Sequence, residues 1–127
     1  MQEKHLYEYA VIRVVPRVER EEFLNVGVIL FCKRQKFIRV LFTINESRLT
    51  SLCPDLDIEQ LRLNLESFEK IGRGAKGGGP IARLEIPERF RWLTAVRSSV
   101  IQTSRPHPGL CSNLEKRVQR LFEDYVL

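Results

Sequence analysis

The chain has 127 residues, 43% apolar and 29% charged, with a formal net charge of +5 at pH 7. A chain of this size buries roughly two thirds of its unfolded surface, so residues 1–127 are expected to form one domain, and the composition excludes disordered, fibrous and disulfide-stapled classes. No window approaches ~18 consecutive apolar residues, and MQEKHLYEY lacks the basic-then-apolar run of a secretory signal, so the expectation is a cytoplasmic protein with no membrane partner.

Residues 6–15, LYEYAVIRVV, are β-branched and aromatic and end at Pro16, which predicts a strand. Alternation puts Tyr7, Tyr9, Val11, Arg13 and Val15 on one face and Leu6, Glu8, Ala10, Ile12 and Val14 on the other. Neither face is cleanly polar, so the strand belongs in the middle of a sheet. PRVEREEF is charged and reads as an exposed connection. FLNVGVILFC, residues 23–32, is apolar almost throughout. Glycine is costly inside a strand, so Gly27 marks a bulge or the close passage of another backbone. KRQK turns the chain into FIRVLFTI, which puts Arg39 and Thr43 on one face and Ile38, Val40, Phe42 and Ile44 on the other. Strands joined this briefly pair antiparallel.

From residue 57 the period lengthens. Ile58, Leu61, Leu65 and Phe68 recur at helical spacing behind Asp57 as N-cap, with Gln60 three positions on and Gly72 and Gly74 as the stop. GRGAKGGGP, residues 72–80, reads as a flexible surface loop; it lacks the order of a phosphate-binding P-loop, and Pro80 precedes an extended-looking IARLEI. The competing reading is a lid that orders over an anionic ligand, with Arg73 and Lys76 as its charges. PERFRWLTAV, 87–96, starts a helix with Pro87 in its first turn and puts Phe90, Leu93 and Val96 or Arg97 on one side. Trp92 is a packing residue or, alternatively, a platform for a base. SNLEKRVQRLFEDYVL opens with Ser112 as N-cap and Glu115 at the third position, then carries Leu114, Val118, Leu121 and Phe122 on one stripe. The sum is an α+β domain: a small antiparallel sheet of three to five strands with about three helices packed mainly on one face.

The segment RSSVIQTSRPHPG, residues 97–109, concentrates polar chemistry. If Val100 to Thr103 is a short strand, Arg97 and Arg105 flank its ends. Arg97, Ser99, Gln102, Ser104 and Arg105 form the candidate anion-binding set, because guanidinium forks suit phosphate or carboxylate and hydroxyls add directed donors. The bland alternative is a loop whose arginines and hydroxyls tie down its own backbone. An enzyme would need Ser98 or Ser99 beside His107 and an acid such as Asp55 or Asp57, and the chain shows no GxSxG elbow. The carboxylate pairs Asp55/Asp57 and Glu21/Glu22 read more simply as a cap and a solvated turn. Cys32, Cys53 and Cys111 are widely spaced and His5 and His107 are the only histidines; three free thiols, no metal site and no cofactor are expected. The basic charge weakly favours phosphate or nucleic acid as a partner. No KH or RRM signature supports the latter, and Phe37 and Phe42 fall on opposite strand faces.

YEYAVIRVVPRVEREEFLNVGVILFC, RFRWLTAVRSSVIQTSRPHPG and LEKRVQRLFEDYVL together resemble the bacterial family termed domain of unknown function 3037. The resemblance covers nearly the whole chain except the glycine-rich 72–80, and it implies no established activity. Members are often encoded beside a HipA-like serine/threonine kinase, so it implies an accessory partner of such a kinase. Arg13, Asn25, Gly27, Arg97, Ser98, Ser99, Ser104 and Arg105 stand in the family-like blocks, with no catalytic role to transfer. The expectation is thus a small protein of unknown activity, an interaction or accessory partner rather than an enzyme, with an anion-binding loop at 97–109. The alternatives are a phosphate-handling or nucleic-acid-processing enzyme and a nucleic-acid binding module. A bare strand edge also leaves a homodimer open.

Overall fold

The computed structural model describes residues 3–97 and 99–127. In chain order it holds β1 (His5–Val14), β2 (Leu24–Cys32), β3 (Phe37–Phe42), α1 (Glu46–Leu52), α2 (Ile58–Gly72), α3 (Ile86–Leu93), β4 (Ile101–Thr103), β5 (His107–Cys111) and α4 (Leu114–Tyr125). The strands form one antiparallel sheet in the order β3-β2-β1-β4, and β5 also pairs with β1. β1 is therefore central, as its two apolar faces require.

β4 and β5 are two halves of one interrupted strand. Ile12 faces Thr103 and Tyr9 faces His107, so one extra residue is taken up between them. Ser104 sits at this break. Its N–H donates to the Val11 carbonyl at 2.8 Å, and its buried hydroxyl accepts the Val11 N–H at 2.9 Å. A second irregularity lies in β2, where Gly27 faces Ile12 but Asn25 faces Arg13, so Val26 is an extra residue turned into the core. A Cβ on Gly27 would overlap the Leu41 carbonyl oxygen of β3. Gly27 thus combines both features its place in an apolar strand suggests, the bulge and the close backbone.

Alternation along the strands sends side chains into two cores. Ile12, Val14, Ile29, Phe31 and Val40 pack under α1, α2 and α3 through Leu49, Leu61, Leu65, Phe68, Phe90 and Leu93. Tyr7, Val28, Leu30, Cys32 and Cys111 pack under α4 through Leu114, Val118 and Leu121. The α+β class holds, with five strands and four α-helices among the described residues. Three of these α-helices lie on one face and α4 covers the other.

Several local expectations are corrected. α1 does not stand out in the sequence: it is one short helix capped by Asn45, whose Oδ1 accepts the Arg48 N–H at 3.1 Å, and it buries only Leu49. Residues 80–83 form a 3-10 turn rather than an extended run, because Pro80 presets the first turn and a three-residue period buries Ala82. α3 stops at Leu93, so Val96 is fully exposed instead of sharing the side of Phe90. α4 is capped by Asn113, which accepts the Lys116 N–H at 3.1 Å, not by Ser112. Glu115 turns instead to Arg39 in a two-point ion pair of 2.6 and 2.9 Å. HPGLC at 107–111 is a strand rather than loop: β1 supplies its pairing, and the Tyr7 ring covers Gly109 in place of a side chain.

Candidate functional site

Residues 97–109 link α3 to the two half-strands, and the first of them is held at the end of α3. Arg97 folds back so that Nη2 donates to the Trp92 carbonyl, and to that of Leu93 at 3.5 Å, while Nε donates to Ala95 at 3.3 Å. The guanidinium lies 4.8 Å over the Trp92 ring and 5.3 Å over that of Phe68. A cation at a helix C-terminus satisfies the last carbonyls and the dipole together. Partial burial lowers the pKa of Arg97. Among the described residues its Nη1 makes no hydrogen bond.

Arg97 stands over a cleft of about 400 Å³ between α2 and β4, floored by Phe68, Ile71 and Val100 and rimmed by Asn64, Ser67 and Ser99. A second hollow of about 220 Å³ shares Asn64 and Val100 and continues to Leu56, Cys53 and Pro16. A third, about 340 Å³, shares Pro16 and Cys53 and opens beside Arg17 and Arg20. The three hollows are neighbours, each sharing lining residues with the next.

β4 is an edge strand, and its hydrogen-bond phase is set by two bonds. Val15 N–H donates to the Val100 carbonyl at 2.6 Å and Ser104 N–H to that of Val11 at 2.8 Å. Antiparallel pairing alternates, so Val100, Gln102 and the Ser104 N–H point at β1 while Ile101 and Thr103 point their backbone groups outward. The Ser99 hydroxyl takes the Ile101 carbonyl at 2.7 Å. Among the described residues the Ile101 N–H and both Thr103 backbone groups have no hydrogen-bond partner and form a short open ladder. β5 differs: Pro108 faces Glu8 at a position where a proline fits only with its nitrogen outward, which blunts that edge.

A family described as protein of unknown function, DUF3037, matches residues 9–126. The chain belongs to DUF3037. No curated protein and no solved structure matches it at a significant level. The DUF3037 description carries no activity, so the chemistry has to come from where this chain places its side chains.

In this DUF3037 fold the polar residues of 97–109 are dispersed. Arg97 and Ser99 line the α2-side cleft. Gln102 donates to the Ser99 carbonyl at 2.9 Å and faces Arg13 across the ladder. The Ser104 hydroxyl is occupied in the strand break, where it also donates to the Arg105 carbonyl at 3.1 Å. Arg105 is exposed past the far end of β4 and does not line the cleft; Val100 to Arg105 spans about 16 Å of extended chain. The His107 ring packs against Tyr9 in a tilted arrangement at 5.5 Å, and Tyr9 stacks on Tyr125 of α4 at 5.9 Å. His107 is therefore on the α4 face and Ser99 on the α2 face, so these two are not brought together. Ser98 lies outside the described residues.

The other candidates are accounted for locally. Asp57 caps α2, accepting the Gln60 N–H at 3.1 Å. Asp55 borders the second hollow, and Glu22 pairs with Arg20 at 2.5 Å. Arg73 pairs with Glu69 at 2.8 Å, and Lys76 is exposed in a 3-10 turn. All three cysteines are free; Cys32 and Cys111 are buried and Cys53 half-buried. Among the described residues no cluster of His, Cys, Asp or Glu is placed to hold a metal, and no helix is long and apolar enough to cross a membrane. Sequence reading missed Asn64, Phe68 and Ile71 as cleft walls, since α2 announces them only as helix positions.

Proposed function

We propose that the protein is a binding subunit that takes an extended acidic segment of a partner protein along the open edge of β4. The observation that carries this reading is the outward ladder of Ile101 and Thr103 beside a half-apolar cleft, with an arginine at each end. Added strands draw affinity from main-chain hydrogen bonds and specificity from pockets for alternate side chains. The Arg97 Nη1 engages one carboxylate of the segment. Arg105, about 16 Å along the strand, engages another four or five positions away. A HipA-like kinase, suggested by the family resemblance, is the first partner to test. The separation of Ser99 from His107 favours binding over a serine-dependent reaction.

The test uses the purified full chain as bait, beside Thr103→Pro and the Arg97→Ala/Arg105→Ala pair. Thr103→Pro deletes an outward N–H and leaves the ladder to β1 intact, so the far-ultraviolet dichroism should be unchanged and capture of the partner lost. In the wild-type complex the amides of Ile101 and Thr103 should gain protection from hydrogen exchange. A partner captured equally by the folded variants, with no such protection, overturns the reading. Recovery only of a second copy of the chain, or of RNA, replaces it with the dimer or nucleic-acid alternative.

A further inference from the structure

The sheet changes character where α4 ends. Beneath α4 the face is made by Tyr7, Val28 and Leu30. Beyond its last turn, Gln102, Arg13 and Asn25 form a polar row across β4, β1 and β2, each opposed to the next in the ladder. Directly opposed residues share a face. The Asn25 Nδ2 donates to the Tyr125 carbonyl at 3.1 Å, which sets the orientation of the amide, and its Oδ1 is buried without a donor. The Arg13 guanidinium lies 4.2 Å over the Phe23 ring, with a buried Nε that has no acceptor. Among the described residues no carboxylate pairs with Arg13. A half-buried cation without a counter-ion, beside a buried acceptor without a donor, costs stability on both counts.

We propose that the Arg13–Asn25 row binds a small oxyanion that carries its own hydroxyl, with inorganic hydrogen phosphate as the simplest member. The Arg13 N–H groups meet the anionic oxygens, and the Asn25 Oδ1 accepts the hydroxyl proton. That second contact separates this site from a plain basic patch. Sulfate has similar size and charge but no proton near neutral pH, so it would set oxygen lone pairs against Oδ1. The site is on the face opposite the Arg97 cleft, and it stands or falls independently of the β4-edge reading.

The experiment titrates the full-length, ¹⁵N-labelled protein with sodium phosphate and, separately, with sodium sulfate at matched ionic strength. Phosphate should produce saturable shifts at the backbone amides of Arg13, Asn25 and Gln102 and at the Asn25 side-chain amide. Sulfate should act at least about tenfold more weakly, and Arg13→Gln should weaken phosphate by about tenfold or more. The wild-type mapping decides the matter even where Arg13→Gln folds poorly. Equal responses to both anions, shifts centred on Arg97 or Arg105, or no saturation with phosphate would overturn the proposal.

Discussion

Ser104 stands where the strand opposite β1 breaks, and its hydroxyl takes the place of the backbone acceptor that the break removes. Ser104→Ala leaves the Val11 N–H buried and unpaired, which should lower unfolding free energy by about 1–3 kcal/mol, read from the urea midpoint at unchanged slope. In the sequence Ser104 is one of several hydroxyls in a polar run, and nothing local distinguishes the buried one. Tyr9 offers a second test at this scale. A hydrogen bond shared with Tyr125, then burial, raises its pKa to about 12. An unfolded tyrosine titrates near 10, so the folded chain holds this proton more tightly. The resulting stabilisation is complete below about pH 10 and is lost as pH rises through about 12. Tyr9→Phe should flatten that alkaline fall, measured by urea unfolding at about pH 9 and about pH 11.5. An unchanged alkaline fall in Tyr9→Phe would assign it to other groups.

At the scale of elements, legibility follows the length of the periodic signal. α2 and α4 repeat their apolar residues over several turns, so both helices and the Leu114–Val118–Leu121 stripe are visible in the sequence. Their ends are less so. Ser112 and Asn113 are both competent caps, and the burial of Leu114 puts the helix start after Asn113. Asn113→Ala should therefore cost about 1 kcal/mol, seen as a lower melting temperature, while Ser112→Ala should leave it nearly unchanged. The reverse order would restore the expected cap. α1 is too short to show a period. β5 carries His, Pro and Gly, residues with little strand preference, and is a strand only because β1 lies beside it. Half of the candidate groove escapes the sequence for this reason: Cys53 and its neighbours follow a helix with no period, and Asn64 and Phe68 reach Val100 only through packing.

For the molecule as a whole, the sequence by itself determined that the chain makes an antiparallel sheet with a central first strand and long amphipathic helices. Alternation, apolar period and short connections are local quantities; the expectation that Arg97 and Arg105 flank a short strand rests on the further condition that 100–103 is extended. Only the tertiary structure decided that α4 crosses to the opposite face. Its stripe shows that it needs an apolar surface, but both faces of β2 provide one. The same is true of the proposed sites. Whether Ser99 and His107 meet depends on the sheet between them, and the outward phase of Thr103 depends on which residues of β1 it faces. The Arg13–Asn25 pair depends on the bulge at Val26: continuing the register of Ile12 with Gly27 would put Val26 opposite Arg13. One extra residue exchanges an apolar neighbour for a polar one because strand side chains alternate with a period of two, and that choice is made between strands.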